Sequence, residues 1–350
     1  MKYHAVQLND DYSGSSIVLC SLINTIGISK FSIAIGGGKG PLNDLLIPDI
    51  TFGYAIVNNK FGMLLNLLVF NVKCFIYGLL KYQKGDVVIV NTLYPFASLV
   101  AARIKGARSI SYIHETYISP KVFRSSLLIF SRFFANKIIT VSKYTKIELK
   151  LPEHKTSVIY NSCRFNPVNV CKDKVPTTPK ILMLSSLKSY KGIDIFLKCA
   201  SQLSFGYEFD LALNCTKNEF DAFHSLQSLS NLKVYHRPKN LDLLYSQASI
   251  VLNLTQAEEC IETFGLTLIE AAAFALPVVA PNVGGPAELI EKFQFGISVD
   301  TSDVDAVCSA IQTLLESDKT YCNYSSRALK ASSHFTVLAY NRNINVACNL

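Results

Sequence analysis

Short apolar, β-branched runs recur along this chain, each followed by a stretch with helical spacing, and the alternation stops and restarts once. Tyr3 to Leu8, Ser32 to Ile35, Val87 to Asn91, Ser109 to Ile113 and Lys137 to Val141 read as strands, and Ile17 to Ile26 as the first helix. Alternating β and α elements pack as a parallel sheet covered on both faces. From Asn161 to Pro179 the chain turns polar, with Pro167, Pro176 and Pro179, which reads as a linker. A new alternation opens at Lys180-Ile-Leu-Met-Leu184. The expectation is two doubly wound α/β domains, 1–165 and 180–330, joined by a linker at 166–179. A weakly patterned segment, 331–350, follows. At 350 residues, 49% hydrophobic and 17% charged, the chain is long and apolar enough to build both cores.

Charge is unevenly spread. Residues 1–175 carry 21 Lys/Arg against 9 Asp/Glu, a balance of +12, whereas residues 176–350 carry 13 against 17, a balance of −4; together they make the net +8. A basic half suits an anionic surface. No recognised nucleic-acid module accompanies the charge, so no nucleic-acid partner is expected. Two segments mix basic with bulky apolar residues, Phe61 to Tyr82 and Lys121 to Phe134. Either suits a helix lying in a membrane interface, with the second favoured. A spanning helix is not expected, since the first contains Asn66, Asn71 and Lys73. The start, from Met1 to Asp11, has no signal-peptide pattern. Ten scattered cysteines without metal spacing read as reduced thiols of a cytoplasmic protein.

The densest chemistry lies late in the chain. Glu262-Thr-Phe-Gly-Leu-Thr-Leu-Ile-Glu270 sets two carboxylates eight residues apart, and Pro277-Val-Val-Ala280 and Gly284-Gly285-Pro-Ala-Glu288 follow. Apolar residues at 266, 268, 269 and 272–274 predict a helix from Leu266 to Phe274. Gly265 stands at its entry, and a helix N-terminus with free amides is an anion site. If the span were mostly helical, the two carboxylates would lie roughly 12 Å apart along the axis. That reach suits a nucleotide sugar.

This segment resembles the Glu-x7-Glu signature of retaining glycosyltransferases of the GT-B fold, family 4. The matches are Glu262, Phe264, Gly265, Glu270, Ala271, Pro277 to Ala280, Gly284, Gly285 and Glu288. The phrase around Asn253-Leu-Thr and Glu262-Thr-Phe-Gly-Leu-Thr is similar to members of bacterial surface-polysaccharide synthesis. The resemblance implies two Rossmann-like domains facing a central cleft, with residues 331–350 returning to the first. It implies a nucleotide-sugar donor, no cofactor and no metal. Glu262 would hold the sugar hydroxyls and Glu270 the ribose. The backbone from Thr263 and Phe264 through Gly265 to Leu266 would meet the diphosphate. Where the family carries Gly-Arg-Leu-x-x-x-Lys-Gly, this chain has Ser185 to Gly192; Lys191 and Gly192 match, but Ser186 replaces the Arg. Lys188 is a candidate replacement charge, although an ammonium does not copy a bidentate guanidinium. Arg237 stands where relatives carry a loop beside the base.

On the acceptor side, the polar loop Asp10 to Ser16 follows the first strand, with Asp11 and Gly14 as its candidate residues. His114 matches a position where many family members carry a His near the sugar, so the catalytic candidates are Glu262, His114 and Lys191. Asn161 matches a family turn and reads as structural. Asp303-Val-Asp305 is formally a metal-type D-x-D, but its setting reads as a capped helix start. The resemblance points to hexosyl transfer onto a lipid-linked or oligosaccharide acceptor at the inner face of the cytoplasmic membrane. Rival readings are a soluble transferase acting on a small sugar, a GT-B epimerase and a binding-only relative.

Overall fold

The computed structural model describes residues 1–348 apart from 46, 58 and 226. The chain forms two compact units, Met1–Ser162 with Tyr340–Leu350, and Cys163–Ala339.

The first unit contains strands β1 (Tyr3–Asp10), β2 (Phe31–Gly38), β3 (Ile50–Thr51), β4 (Val87–Asn91), β5 (Arg108–Ile113), β6 (Lys137–Thr140) and β7 (Thr156–Val158). Its helices are α1 (Gly14–Ile26), α2 (Pro41–Leu45), α3 (Lys60–Lys81), α4 (Ala97–Lys105), α5 (Lys121–Phe134) and α6 (Lys143–Glu148). The strands form one parallel sheet in the order β3-β2-β1-β4-β5-β6-β7. Ala5 of β1 sits between Ile33 of β2 and Ile89 of β4. All five residues of β4 are buried, as a central parallel strand covered on both faces requires. Each buried Val or Ile there contributes about 1.5–3 kcal/mol relative to exposure.

The second unit contains β8 (Lys180–Ser186), β9 (Glu208–Asn214), β10 (Leu232–His236), β11 (Ile250–Leu252), β12 (Val278–Pro281) and β13 (Gly296–Val299). Between and after them run α7 (Ile193–Gln202), α8 (Lys217–His224), α9 (Leu241–Gln247), α10 (Leu266–Ala273), α11 (Gly284–Phe293), α12 (Val304–Leu314) and α13 (Asp318–Ser332). The sheet order is β10-β9-β8-β11-β12-β13, again parallel throughout. Leu182 of β8 pairs with Asp210 of β9 on one side and Val251 of β11 on the other. The Pro-marked segment runs along this unit: the Val168 amide donates to the Ala273 carbonyl and the Lys172 amide to Ser325 Oγ.

The last helix, α14 (Val337–Cys348), buries Tyr340, Ile344 and Cys348. The Tyr340 and Tyr112 hydroxyls are 3.3 Å apart, and Thr25 Oγ1 donates to Asn341 Oδ1 at 2.6 Å. Both contacts belong to the first unit. Asn161 is buried there too, accepting from the Tyr112 hydroxyl at 3.5 Å.

The expected polar loop from Asp10 to Ser16 is shorter than its composition suggests. α1 begins at Gly14, so Gly14, Ser15 and Ser16 form its first turn. The Asp11 carboxylate accepts the Ser13 amide at 3.1 Å and turns the chain into the helix. Small residues in that turn carry no apolar periodicity, and Ser16 is buried by a hydrogen bond from Gln7 rather than by hydrophobicity.

Candidate functional site

In both sheets the order of strand addition reverses between the unit's first and fourth strands, β1/β4 and β8/β11. In such sheets ligands bind outside the carboxyl ends of the strands at that point. In the second unit the loops leaving β8 and β11 carry the charged residues. Lys191 lies at the end of a short turn after β8, and Gly192 follows it with φ +70°. A Cβ there would collide with the Leu254 carbonyl oxygen, so only glycine lets the β8 loop pass so close to the β11 loop. The Gln256 amide donates to the Tyr190 carbonyl at 2.7 Å and locks the two loops together.

Glu262 sits at the centre of this contact. Its Oε2 accepts from Asn253 Nδ2 at 2.7 Å, lies 3.0 Å from the Thr255 hydroxyl and 3.7 Å from Lys191 Nζ. Lys191 Nζ also donates to Thr255 Oγ1 at 3.3 Å. Burial pushes the Glu262 carboxyl up, but the Lys191 charge and the hydrogen bonds from Asn253 and Thr255 outweigh it and hold the group below its ordinary value. Glu262 is therefore an ionised, oriented acceptor at neutral pH, suited to hydroxyl donors.

The span from Glu262 to Glu270 is not helical throughout, which corrects the premise of the 12 Å estimate. Residues 262–265 are loop, and α10 begins at Leu266. Gly265 holds φ +101° at the entry. The turn at 262–264 is braced by α11: the Gly285 amide donates to the Glu262 carbonyl at 2.8 Å, and a Cβ on Gly285 would strike the Thr263 carbonyl. The Phe264 ring is buried, 6.4 Å from the Phe335 ring, so this residue offers the site only its backbone.

Glu270 is buried with both oxygens engaged. Tyr245 donates to Oε2 at 2.6 Å, and Arg164 Nε meets Oε1 at 2.8 Å. Arg164 also stands over the Phe165 ring, 5.0 Å from its centroid. A ribose diol would have to share or replace one of these partners.

The remaining donor-side candidates lie on the same carboxyl edge. Lys188 begins the turn after β8. Arg237 follows β10 with φ +42°, its Nε donating to Asn214 Oδ1 at the end of β9, 3.1 Å away. Ser186 ends β8 and brings no charge. Asp303 is the N-cap of α12, accepting the Asp305 and Ala306 amides, so the D-x-D is a helix start. Among the described residues no group of three or more His, Cys, Asp or Glu is placed to hold a metal ion.

In the first unit the switch point carries a row of uncharged side chains. Asn91, at the end of β4, donates to Gln7 Oε1 on β1 at 2.7 Å and accepts at Oδ1 from His114 Nε2, 2.8 Å away. That network assigns the proton to Nε2 and leaves Nδ1 as the ring's acceptor. Burial lowers the His114 pKa to about 3, so the ring is neutral at pH 7. Its ring packs on Tyr112, 4.4 Å between centroids. Glu115 accepts the Leu93 amide at 2.6 Å and the His114 amide at 3.2 Å, and burial raises its carboxyl to about 7. Thr92, between these contacts, is held at φ +73°, a costly conformation for a β-branched residue. Asp11 is exposed and spent on the turn into α1, where Gly14 also lies; Asp10 instead receives the Gly40, Leu42 and Asn43 amides.

Residues 172–331 match the family model of glycosyl transferases group 1. This stretch is a group 1 glycosyltransferase domain. Residues 51–163 match the model of glycosyltransferase family 4. Sequence relatives include sucrose-phosphate synthase 4 of Arabidopsis thaliana, 30% identical over 109 residues, which are 31% of this chain and 10% of that protein. A probable sucrose-phosphate synthase 2 of Craterostigma plantagineum is 38% identical over 89 residues, 25% of this chain and 8% of that protein. The chain thus spans about a tenth of the length of these curated relatives. Among solved structures, Anabaena Alr3699/HepE in complex with UDP aligns over 100% of both chains at 19% identity and a TM-score of 0.80. The lipopolysaccharide outer core galactosyltransferase WaaB aligns over 100% of this chain and 99% of its own, at 14% identity and a TM-score of 0.72. These likenesses show the fold, two parallel-sheet α/β domains of the GT-B type.

Several residues that build the glycosyltransferase domain's site were not singled out from sequence. Asn253 and Thr255 entered the sequence reading only as part of a family phrase, without a site role, although a polar residue at a parallel strand's carboxyl end, here just past a buried three-residue strand, is itself a signal. Arg164 and Tyr245 had none, since one lies in a polar connection and the other on an ordinary short helix. In the first unit, Asn91 was seen only as the last residue of a strand.

Proposed function

We propose that this chain is a retaining hexosyltransferase that takes a UDP-activated sugar and delivers it to a lipid-linked saccharide in surface-polysaccharide synthesis, working at the cytoplasmic face of the membrane. The observation that carries the reading is the Lys191–Glu262 pair at the β8/β11 switch point, beside the amide-bearing entry of α10. The choice of UDP rests on the Anabaena neighbour, which was solved with UDP and with UDP-glucose. A lipid-linked acceptor draws on the likeness to WaaB and on the basic first half.

In this reading the diphosphate sits against Lys191 and the backbone at 264–266, with Lys188 near by. The bond from the anomeric carbon to the β-phosphate oxygen breaks as the acceptor oxygen bonds to the same face of that carbon. The acceptor proton passes to the departing phosphate oxygen. Lys191 and the amides stabilise the charge that grows on the leaving group, and Glu262 orients the sugar hydroxyls. No metal step is invoked.

The test is transfer from radiolabelled UDP-sugars, one at a time, to extracted lipid-linked oligosaccharides and to hexose phosphates. Label in the lipid fraction with inversion-free product stereochemistry is expected. Label only in a phosphorylated small sugar would favour the soluble reading, which the likeness to sucrose-phosphate synthases supports. Turnover of the UDP-sugar without an acceptor would point to an epimerase.

A further inference from the structure

α3 carries an apolar face with nothing of its own unit over it. Phe61, Leu65, Leu68, Val72, Ile76 and Leu80 recur every three or four residues along one side, from 49% exposed at Leu65 to 79% at Phe61. The stripe runs roughly 28 Å along the helix. By length and composition α3 could cross a membrane, but its opposite side, with Leu67, Phe70, Asn71, Cys74 and Tyr77, is buried in the unit's core. Asn71 is tied to the Tyr94 carbonyl and the Ala97 amide. A helix so held can lie against a bilayer but not pass through it.

The stripe adjoins a recess of about 730 Å³, and Ile76 and Leu80 belong to both. Lys2, Lys73 and Lys81 also line the recess, Lys73 Nζ donating to the Phe52 carbonyl at 2.7 Å, against a single lining carboxylate, Asp49, which accepts the Ile33 amide at 2.6 Å. Lys60 and Lys81 stand at the two ends of α3, and the helix contains no acidic residue. That distribution argues against a second copy as the occupant, because α3 paired with itself antiparallel would set Lys60 against Lys81 with no carboxylate on either helix. It matches an anionic bilayer, where apolar side chains enter the acyl boundary and lysines meet lipid phosphates.

We propose that α3 is the membrane-docking element of this chain, inserting its apolar stripe into an anionic bilayer while Lys2 and Lys81 hold a lipid headgroup phosphate in the adjoining recess. The proposal deepens the lipid-linked acceptor reading and rests on it. It moves the docking face from α5, which the sequence favours, to α3. In α5 Arg124 is spent on the Thr116 carbonyl and Arg132 on the Leu149 carbonyl, and its exposed side alternates Val122, Ile129 and Phe133 with Ser125 and Ser126.

Flotation with phosphatidylglycerol-containing and pure phosphatidylcholine vesicles tests it, with thermal stabilisation by UDP measured on every variant. The wild type should float with the anionic vesicles and far less with the neutral ones. Leu65→Gln/Leu68→Gln/Val72→Gln changes exposed positions only; it should lose binding on the order of ten-fold or more while keeping its Tm and UDP response. Lys2→Glu/Lys81→Glu should abolish the preference for anionic vesicles. Val122→Gln/Phe133→Gln in α5 should bind as the wild type does. Three results would overturn the proposal: a wild type that ignores both vesicles, an α3 variant that still floats, or a dimer in solution that the α3 variant dissolves. Loss of the UDP response alone would instead strike the donor reading.

Discussion

The two units share a strand order around their switch points, yet they build opposite electrostatics there. At β8/β11 a lysine and a glutamate meet across loops held together by a glycine contact. At β1/β4 two amides and a neutral imidazole form a hydrogen-bonded row with no charge in it. A site for a diphosphate needs fixed positive charge opposite growing negative charge. A site that positions a hydroxyl does better with neutral groups that impose direction without strong attraction. In the proposed reading one architecture serves two tasks, because the loops at its carboxyl edge, not the sheet, carry the chemistry.

The contrast is broken most forcefully at the ionic end. Lys191→Ala and Glu262→Ala should each lower transfer by roughly 10²–10³-fold, the cost of removing a preorganised electrostatic group, measured as kcat at saturating donor. Near-wild-type kcat in both would refute the ionic assignment. Gly192→Ala should cost about 1–3 kcal/mol in stability, since φ +70° and the Leu254 carbonyl both exclude a Cβ; urea unfolding reads it directly.

At the neutral end effects should be smaller. Asn91→Ala removes the partner of both Gln7 and His114 and should cost about 1–3 kcal/mol in stability, with UDP binding unchanged. A drop in UDP affinity would mean that the two ends are not separable. Glu115 gives a pH signature. Its folded pKa is raised to about 7 from the ordinary 4.5, so the folded state holds one more proton between those values. Stability contributed by Glu115 is present at low pH and is lost as pH rises from 4.5 through 7. Glu115→Gln should flatten that part of the stability profile. The smallest effect is expected away from both sites: Asp303→Ala should remove about 1 kcal/mol of helix capping and leave activity untouched.

Much of the framework was legible because its signals are local. Val87–Asn91 and Lys121–Phe134 have the same ends in sequence and structure, since one is an unbroken apolar run and the other has clear amphipathic spacing after a proline. The start of α1 was not legible, because Gly14 to Ser16 enter the helix through an Asp11 turn and a buried serine hydrogen bond. The same limit applied at the donor site. The Glu262-to-Glu270 motif was visible, but its geometry depends on Gly285 and Asn253, which reach Glu262 from elsewhere in the chain. Arg164 on Glu270 could not be foreseen, since no spacing rule links a polar connection to a carboxylate a hundred residues on. The segment of α3 was already marked in sequence as suited to a membrane interface, but only packing decides which of its sides is left uncovered.

Thermal unfolding with and without UDP, on the wild type, Lys191→Ala and His114→Ala, tests the donor assignment most directly. A ligand that binds only the folded state raises Tm in step with RT ln(1 + [L]/Kd). UDP should stabilise the wild type and His114→Ala alike and lose its effect on Lys191→Ala. A wild type indifferent to UDP, or a Lys191→Ala variant stabilised as strongly as the wild type, would contradict the placement of the donor at the β8/β11 switch point.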